Sequence, residues 1–232
     1  GLGDVYKRQV KKVAVVVFAS SSSLCGGFNA NVIRHLNEVV AEYEPKVGRE
    51  NILIYPVGRK VADAVKKMEG LTAAGDYQHM SGKPNYQEAA DLAAELMTRF
   101  ASGEIQQVEL LYNHFKSTST QVLTRETYLP LDLSAGHTDE KGEEQEAMQA
   151  DYLIEPSPEQ VMEELLPKVL RMKMYTVLLD STASEHAART MAMQIATDNA
   201  NDLIQELTLI YNKSRQQAIT NELLDIVGGS MS

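Results

Sequence analysis

The sequence predicts an α/β protein: a small Rossmann-like body with a mixed sheet over residues 10–156, followed by a very long C-terminal coiled-coil helix over residues 157–229. The body is predicted by a run of β-branched residues that opens through a glycine turn into an amphipathic helix, the start of a βαβ unit. The helix is predicted by a stretch with neither glycine nor proline between Pro167 and Gly228. At 232 residues, 44% hydrophobic and 23% charged, the chain has enough material for one core and an extension beyond it.

Residues 1–9, GLGDVYKRQ, carry no periodicity and read as an artefactual or disordered leader. Val10–Ala19 is a near-continuous apolar run and reads as a strand buried on both faces. After four serines, LCGGFNANVIRHLNEVVAEY repeats apolar residues at Phe28, Val32, Leu36, Val39 and Tyr43, the spacing of a helix with one buried face. Asn51–Val57 reads as a second strand, parallel to the first by the right-handed crossover rule. Gly58–Met68 reads as a short helix and Leu71–Lys83 as an irregular connection. Pro84 is expected to open the next helix, with Ala89, Ala93, Leu96, Met97 and Phe100 as its inner stripe. Glu104–Lys116 and Gln121–Leu131 then form a hairpin about Ser117–Thr120. Residues 134–150 are polar and acidic and read as a surface loop, with Tyr152–Ile154 as a last short strand.

Ser157 is placed to cap the long helix, with Pro158 at its first position and Glu159, Glu163 and Glu164 where the helix dipole favours negative charge. Pro167 can kink it, Gly228-Gly229 is expected to stop it, and residues 230–232 form a tail. A continuous helix of this length spans roughly 100 Å, several times a small domain. Ala188, Ala192, Ala196 and Ala200 recur every fourth residue, and Leu203, Leu207 and Ile210 carry the apolar stripe onward. A striped helix of such length calls for a partner helix; the alternative reading is a break at Asp198-Asn199 that folds the chain back as a hairpin on a small bundle.

The chemistry of an active site does not assemble. The turn at Gly26-Gly27 lacks both the GxGxxG spacing and a following Lys-Ser or Lys-Thr, so it reads as a packing turn. Cys25 reads as a small buried filler. His35, His79, His114, His137 and His186 are scattered with no ligand spacing, and the carboxylates of 134–150 hold no fixed-spacing pair. A net charge of -10 and a pI near 5.0 argue against a nucleic-acid or lipid surface. One cysteine excludes an internal disulfide, and no apolar run reaches membrane-spanning length.

Residues 184–229, SEHAARTMAMQIATDNANDLIQELTLIYNKSRQQAITNELLDIVGG, together with SSSSLCGGFNANV at 20–32, resemble the gamma-chain family of F-type ATP synthases. The resemblance runs from about residue 10 to the end. It implies a non-catalytic rotor subunit of the central stalk, without cofactor or metal, coupling rotation of the membrane c-ring to the catalytic sites of a proton-translocating synthase. The partners it implies are the alpha and beta chains, the epsilon chain and the c-ring, on the cytoplasmic face of a bacterial inner membrane. It also implies a long N-terminal helix ahead of the first strand, winding antiparallel around the C-terminal one; residues 1–9 do not resemble it. Arg189, Arg215, Gln216 and Thr220 match family positions that contact a beta-chain loop. Two other readings stand beside this one: a nucleotide- or metabolite-binding α/β enzyme with a helical oligomerisation tail, and a scaffold that dimerises through the helix. The polar residues Thr190, Gln194, Asn199, Asn212 and Gln217 along the shaft disfavour self-dimerisation.

Overall fold

The computed structural model describes residues 10–131 and 157–230. Among the described residues the strands and α-helices run in order: β1 (Val13–Phe18), α1 (Phe28–Val47), β2 (Ile52–Val57), α2 (Arg59–Val65), β3 (Thr72–Ala73), α3 (Tyr86–Ala101), β4 (Gln107–Ser117), β5 (Thr120–Leu129) and α4 (Pro158–Ser230). The strands form one sheet in the order β3-β2-β1-β4-β5. β1 pairs in parallel with both β2 and β4, β3 is parallel to β2, and β5 returns antiparallel to β4. The expected mixed sheet is therefore present, with the most apolar strand at its centre, where both faces are covered and every residue from Val13 to Phe18 is buried.

Two apolar clusters flank the sheet. On one face Val13, Val15 and Val17 meet Val32, Leu36 and Val39 of α1 and Val61 of α2. On the other, Ala14, Val16 and Phe18 meet Leu92 and Leu96 of α3 together with Leu170, Met174, Val177 and Leu178 of α4. The alternation along β1 sends successive side chains to opposite clusters, as a pleated strand requires.

Several boundaries differ from expectation. The connection after α2 contributes β3, two residues paired to Leu53 and Ile54, too short to leave a periodic signal. Helix α3 begins at Tyr86, because Asn85 is extended and its side chain accepts the Gln87 N–H at 2.9 Å, making Asn85 the cap instead of Pro84 the first residue. Helix α1 continues past Tyr43 through Pro45 to Val47 and closes with Gly48 N donating to Glu44 O at 3.0 Å. Helix α4 begins as expected, with Gln160 N donating to Ser157 Oγ at 3.3 Å, and remains a helix through Pro167. It also runs through Gly228 and Gly229 to Ser230; glycine weakens a helix without obliging it to end. The leader at 1–9, the acidic stretch at 134–150, the strand at 152–154 and residues 231–232 lie outside the described residues.

The chain divides into two compact units, Gly1–Arg189 and Thr190–Ser232. The first contains the sheet, α1 to α3 and the part of α4 that supplies Leu170 to Leu178 to the core. In the second, every residue from Met193 to Gly229 is exposed.

Candidate functional site

In an open α/β sheet, ligands bind at the carboxyl ends of the strands where the strand order reverses. Here that crevice lies between β1 and β4, since the chain leaves β1 toward β2 and later returns to β1's other side as β4. The loop after β1 carries Ser20 to Gly27. Leu24 and Gly26 both take positive φ, at 67° and 56°, so the tight turn falls on these two. Gly27 is at φ -79°, a conformation open to any residue.

Ser20, Ser21 and Ser22 of the loop are taken up by partners within the chain. Ser20 Oγ donates to Ser22 O at 2.5 Å, and Asn29 Nδ2 donates to Ser20 Oγ at 2.8 Å and to Cys25 Sγ at 3.0 Å. Ser21 Oγ donates to Gln78 O at 3.0 Å and lies 2.6 Å from Ser81 Oγ. Cys25 is buried at 3% exposure beneath this network, which fits a packing role.

The crevice holds the chain's own helix. Ser184 of α4 donates its hydroxyl to Asn113 O on β4 at 2.8 Å, and Arg189 Nη2 donates to Ser22 Oγ at 2.5 Å. Arg189 Nη2 also donates to Glu185 Oε1 at 2.6 Å, one turn back, and Glu185 is itself buried. One turn before Ser184, Asp180 accepts the His114 Nδ1 proton at 2.6 Å and the Phe115 N–H at 2.8 Å. Nearer the helix start, Tyr128 OH donates to Leu170 O at 2.9 Å, and Lys173 pairs with Glu126. Burial pushes the Tyr128 phenol well above its ordinary value, so it remains a donor. Helix α4 thus has an apolar seat from Leu170 to Leu178 and a polar one from Asp180 to Arg189.

A second network ties α1 to the sheet. Arg125 on β5 donates to both oxygens of the buried Glu109, at 2.7 and 3.0 Å, and to Glu42 Oε2 at 2.5 Å. Tyr43 OH donates to Glu109 Oε1 at 2.5 Å, and Gln107 Nε2 reaches the same oxygen at 3.0 Å. The Arg125 bond, helped by Lys46, holds the Glu42 carboxyl down at about 2. Among the described residues no group of three His, Cys, Asp or Glu side chains is arranged to hold a metal, and no helix is long and apolar enough to cross a membrane. His35 and His79 lie beside Glu38 and Glu88, at 2.8 and 3.1 Å; His137 lies outside the described residues.

The four residues singled out by resemblance fall into two places. Arg189 lies in the first unit, held by Glu185 and Ser22. Arg215, Gln216 and Thr220 lie in the second, all exposed, and Thr220 Oγ1 donates to Gln216 O at 2.8 Å within the helix. Sequence reasoning missed Asp180, Ser184 and Glu185. The signal was present: Ser181, Ser184 and Glu185 continue the stripe of Leu170, Met174 and Leu178, so polar residues stand at inward positions.

Comparison with known proteins adds a direct likeness. The family model described as ATP synthase matches residues 2–232. A protein of Phocaeicola vulgatus called ATP synthase gamma chain is 69% identical over 228 residues, covering 98% of this chain and 77% of that protein. One of Bacteroides fragilis with the same name is 59% identical, covering 97% and 76%. Among solved structures, a chain of the Euglena gracilis mitochondrial ATP synthase, in its OSCP/F1/c-ring assembly, superposes with a TM-score of 0.62 at 23% identity, covering 99% of this chain and 75% of that one. A chain from the central stalk and c-ring of the Tetrahymena thermophila enzyme gives 0.55 at 23% identity, covering 83% and 81%. At such identities these two structures speak for the fold.

Proposed function

The chain belongs to the ATP synthase gamma-chain family, and from that premise we propose that it is the central-stalk rotor subunit of a proton-translocating ATP synthase, a non-catalytic part that couples c-ring rotation to the alpha and beta chains. In this reading residues 10–156 are the body, on which the epsilon chain docks and which rests on the c-ring. Residues 157–229 are the shaft that enters the alpha-beta ring. The chain sits peripherally on the cytoplasmic face of the bacterial inner membrane and reaches the membrane through its partners.

The observation that carries the coiled-coil part is a row of exposed apolar residues at heptad spacing. In the first unit Met162, Leu165, Val169, Met172 and Leu179 are each more than 40% exposed on α4. In the second, Ile204, Leu207 and Tyr211 repeat the three-four spacing, each at least 55% exposed. Residues three and four apart form one seam, and a seam of this kind is buried by a second helix. The occupant we assign is the N-terminal helix that gamma chains carry.

The contact residues proposed on the shaft are Arg215, Gln216 and Thr220, with Arg189 joined to them by the resemblance while it holds Glu185 and Ser22 within the chain. Arg215 and Gln216 offer side-chain donors and an amide on an exposed helical surface, suited to bonds that form and release as the surrounding ring changes. Replacing both by alanine in the assembled synthase is expected to leave assembly intact and to lower coupled ATP synthesis. Unchanged synthesis at normal assembly would overturn the contact assignment.

A further inference from the structure

Asp180 and Arg189 hold α4 to the body from opposite sides, and we propose that they form a two-sided latch that stops the helix rolling about its own axis. They act as positioning residues in the transfer of torque between body and shaft; that last role rests on the rotor reading above. Successive residues of an α-helix turn by about 100°, so the nine positions from Asp180 to Arg189 place their side chains about half a turn apart. Between them runs the buried stripe of Leu170, Met174, Val177, Leu178, Ser181 and Ser184. On one flank Asp180 accepts from His114 Nδ1 and Phe115 N, both on β4. On the other, Arg189 donates to Ser22 in the loop after β1, with Glu185 steadying its guanidinium.

The chemistry of the two seats differs in what it can resist. Burial of Leu170 to Leu178 is non-directional, so a small roll of the helix exchanges one apolar contact for another at little cost. Hydrogen bonds weaken steeply as their angle closes, so polar contacts on the flanks oppose a roll. A contact on one flank is stretched by the roll that lifts that flank, so it opposes that sense the most. Two contacts on opposite flanks oppose it in both, as a shaft that is driven in either direction requires. Cutting one flank should therefore bias the machine by direction, and cutting the other should bias it oppositely, which general loosening of the fold would not do.

The test has two readouts. In the full chain, spin labels at Thr118→Cys on the hairpin tip and Ala183→Cys on α4 report the roll, and the buried Cys25 stays unlabelled. Asp180→Ala and Arg189→Ala are expected to move the label separation in opposite directions, and the double variant to broaden it. An unchanged, narrow separation in the double variant overturns the latch. In the assembled synthase, the ratio of ATP synthesis to ATP-driven proton pumping is expected to shift by about fivefold, the weight of one hydrogen bond, upward in one variant and downward in the other. Asp180→Glu and Arg189→Lys should bring it back toward the parent. Equal ratios in both alanine variants, with the separations moved, overturn the torque role. A parent chain that does not assemble with alpha and beta chains overturns the rotor reading instead, and the label separations still decide the latch.

Discussion

Arg125 reaches from β5 to the floor of the body, where Glu109 is 3% exposed and each of its carboxylate oxygens accepts a hydrogen bond from this one guanidinium. Arg125→Ala would strand a buried carboxylate with Tyr43 and Gln107 as its remaining donors. Removing one partner of a buried pair costs about 3 kcal/mol or more, so the denaturant midpoint should fall accordingly, with the secondary structure kept. At the rim of the same network, Arg125 and then Lys46 lower the Glu42 carboxyl from 4.5 to about 2. A depressed folded value means that the pair stabilises fully above pH 4.5 and ceases to as the pH falls through the window toward 2. Thermal melts of Glu42→Gln should show a flatter acid limb in that window, and added salt should flatten the parent toward it, since the pair is partly solvated. This network was not legible in the sequence. Strand alternation puts Glu109 opposite Val108 and Leu110, which reads as an outward polar position; covering both faces of the sheet turns it inward, and its partner lies sixteen positions on.

At the level of elements, the strands and helices with a strong period were legible, and those defined by a turn were not. β1 and α1 announce themselves by β-branching and by the three-four spacing, whereas β3 is two residues of ladder held by register to β2. The ends of β1 and β2 are joined by a close backbone approach that no spacing betrays. Gly58 has φ 109°, and a Cβ there would lie 2.1 Å from Ala19 O. The same approach carries Lys60 N to Ser20 O at 3.1 Å, so the turn cannot widen without loosening the serine loop. Gly58→Ala is therefore expected to destabilise the body by about 2 kcal/mol or more. Gly27 belongs to the more conspicuous motif, yet its φ is -79° and the nearest atom to an added Cβ is Asn31 Nδ2 at 3.5 Å. Gly27→Ala should change stability by less than about 1 kcal/mol. Chemical denaturation of the two variants side by side separates a glycine needed by geometry from one that is merely prominent. A large loss at Gly27 would mean that the loop's turn depends on both glycines of the motif.

For the whole molecule, the length of α4 was legible and its division was not, because the sequence pattern does not say where a continuous helix ceases to be part of a core. The compact units part after Arg189, at the end of the polar seat. Up to that point the helix is held by burial of Leu170, Met174, Val177 and Leu178 and by the contacts of Asp180, Ser184 and Arg189. Beyond it, Met193 to Gly229 are exposed throughout, so each added turn is stabilised by its own backbone bonds and by local pairs such as Gln194 with Asp198. The docked half supplies the nucleus, which removes the costly first step, but propagation alone is close to neutral for ordinary residues at room temperature. Protection should then fall away from Arg189 toward Ser230. Backbone amide exchange in a dilute monomer is expected to be slow through Leu170 to Leu178 and fast through Leu203 to Ile226. Supplying a gamma-chain N-terminal helix as a peptide should slow the distal amides, as expected if the proposed pairing buries Ile204, Leu207 and Tyr211. Slow exchange from Leu203 to Ile226 without any partner would mean that the shaft holds itself up, and the dependence on a second helix would be wrong.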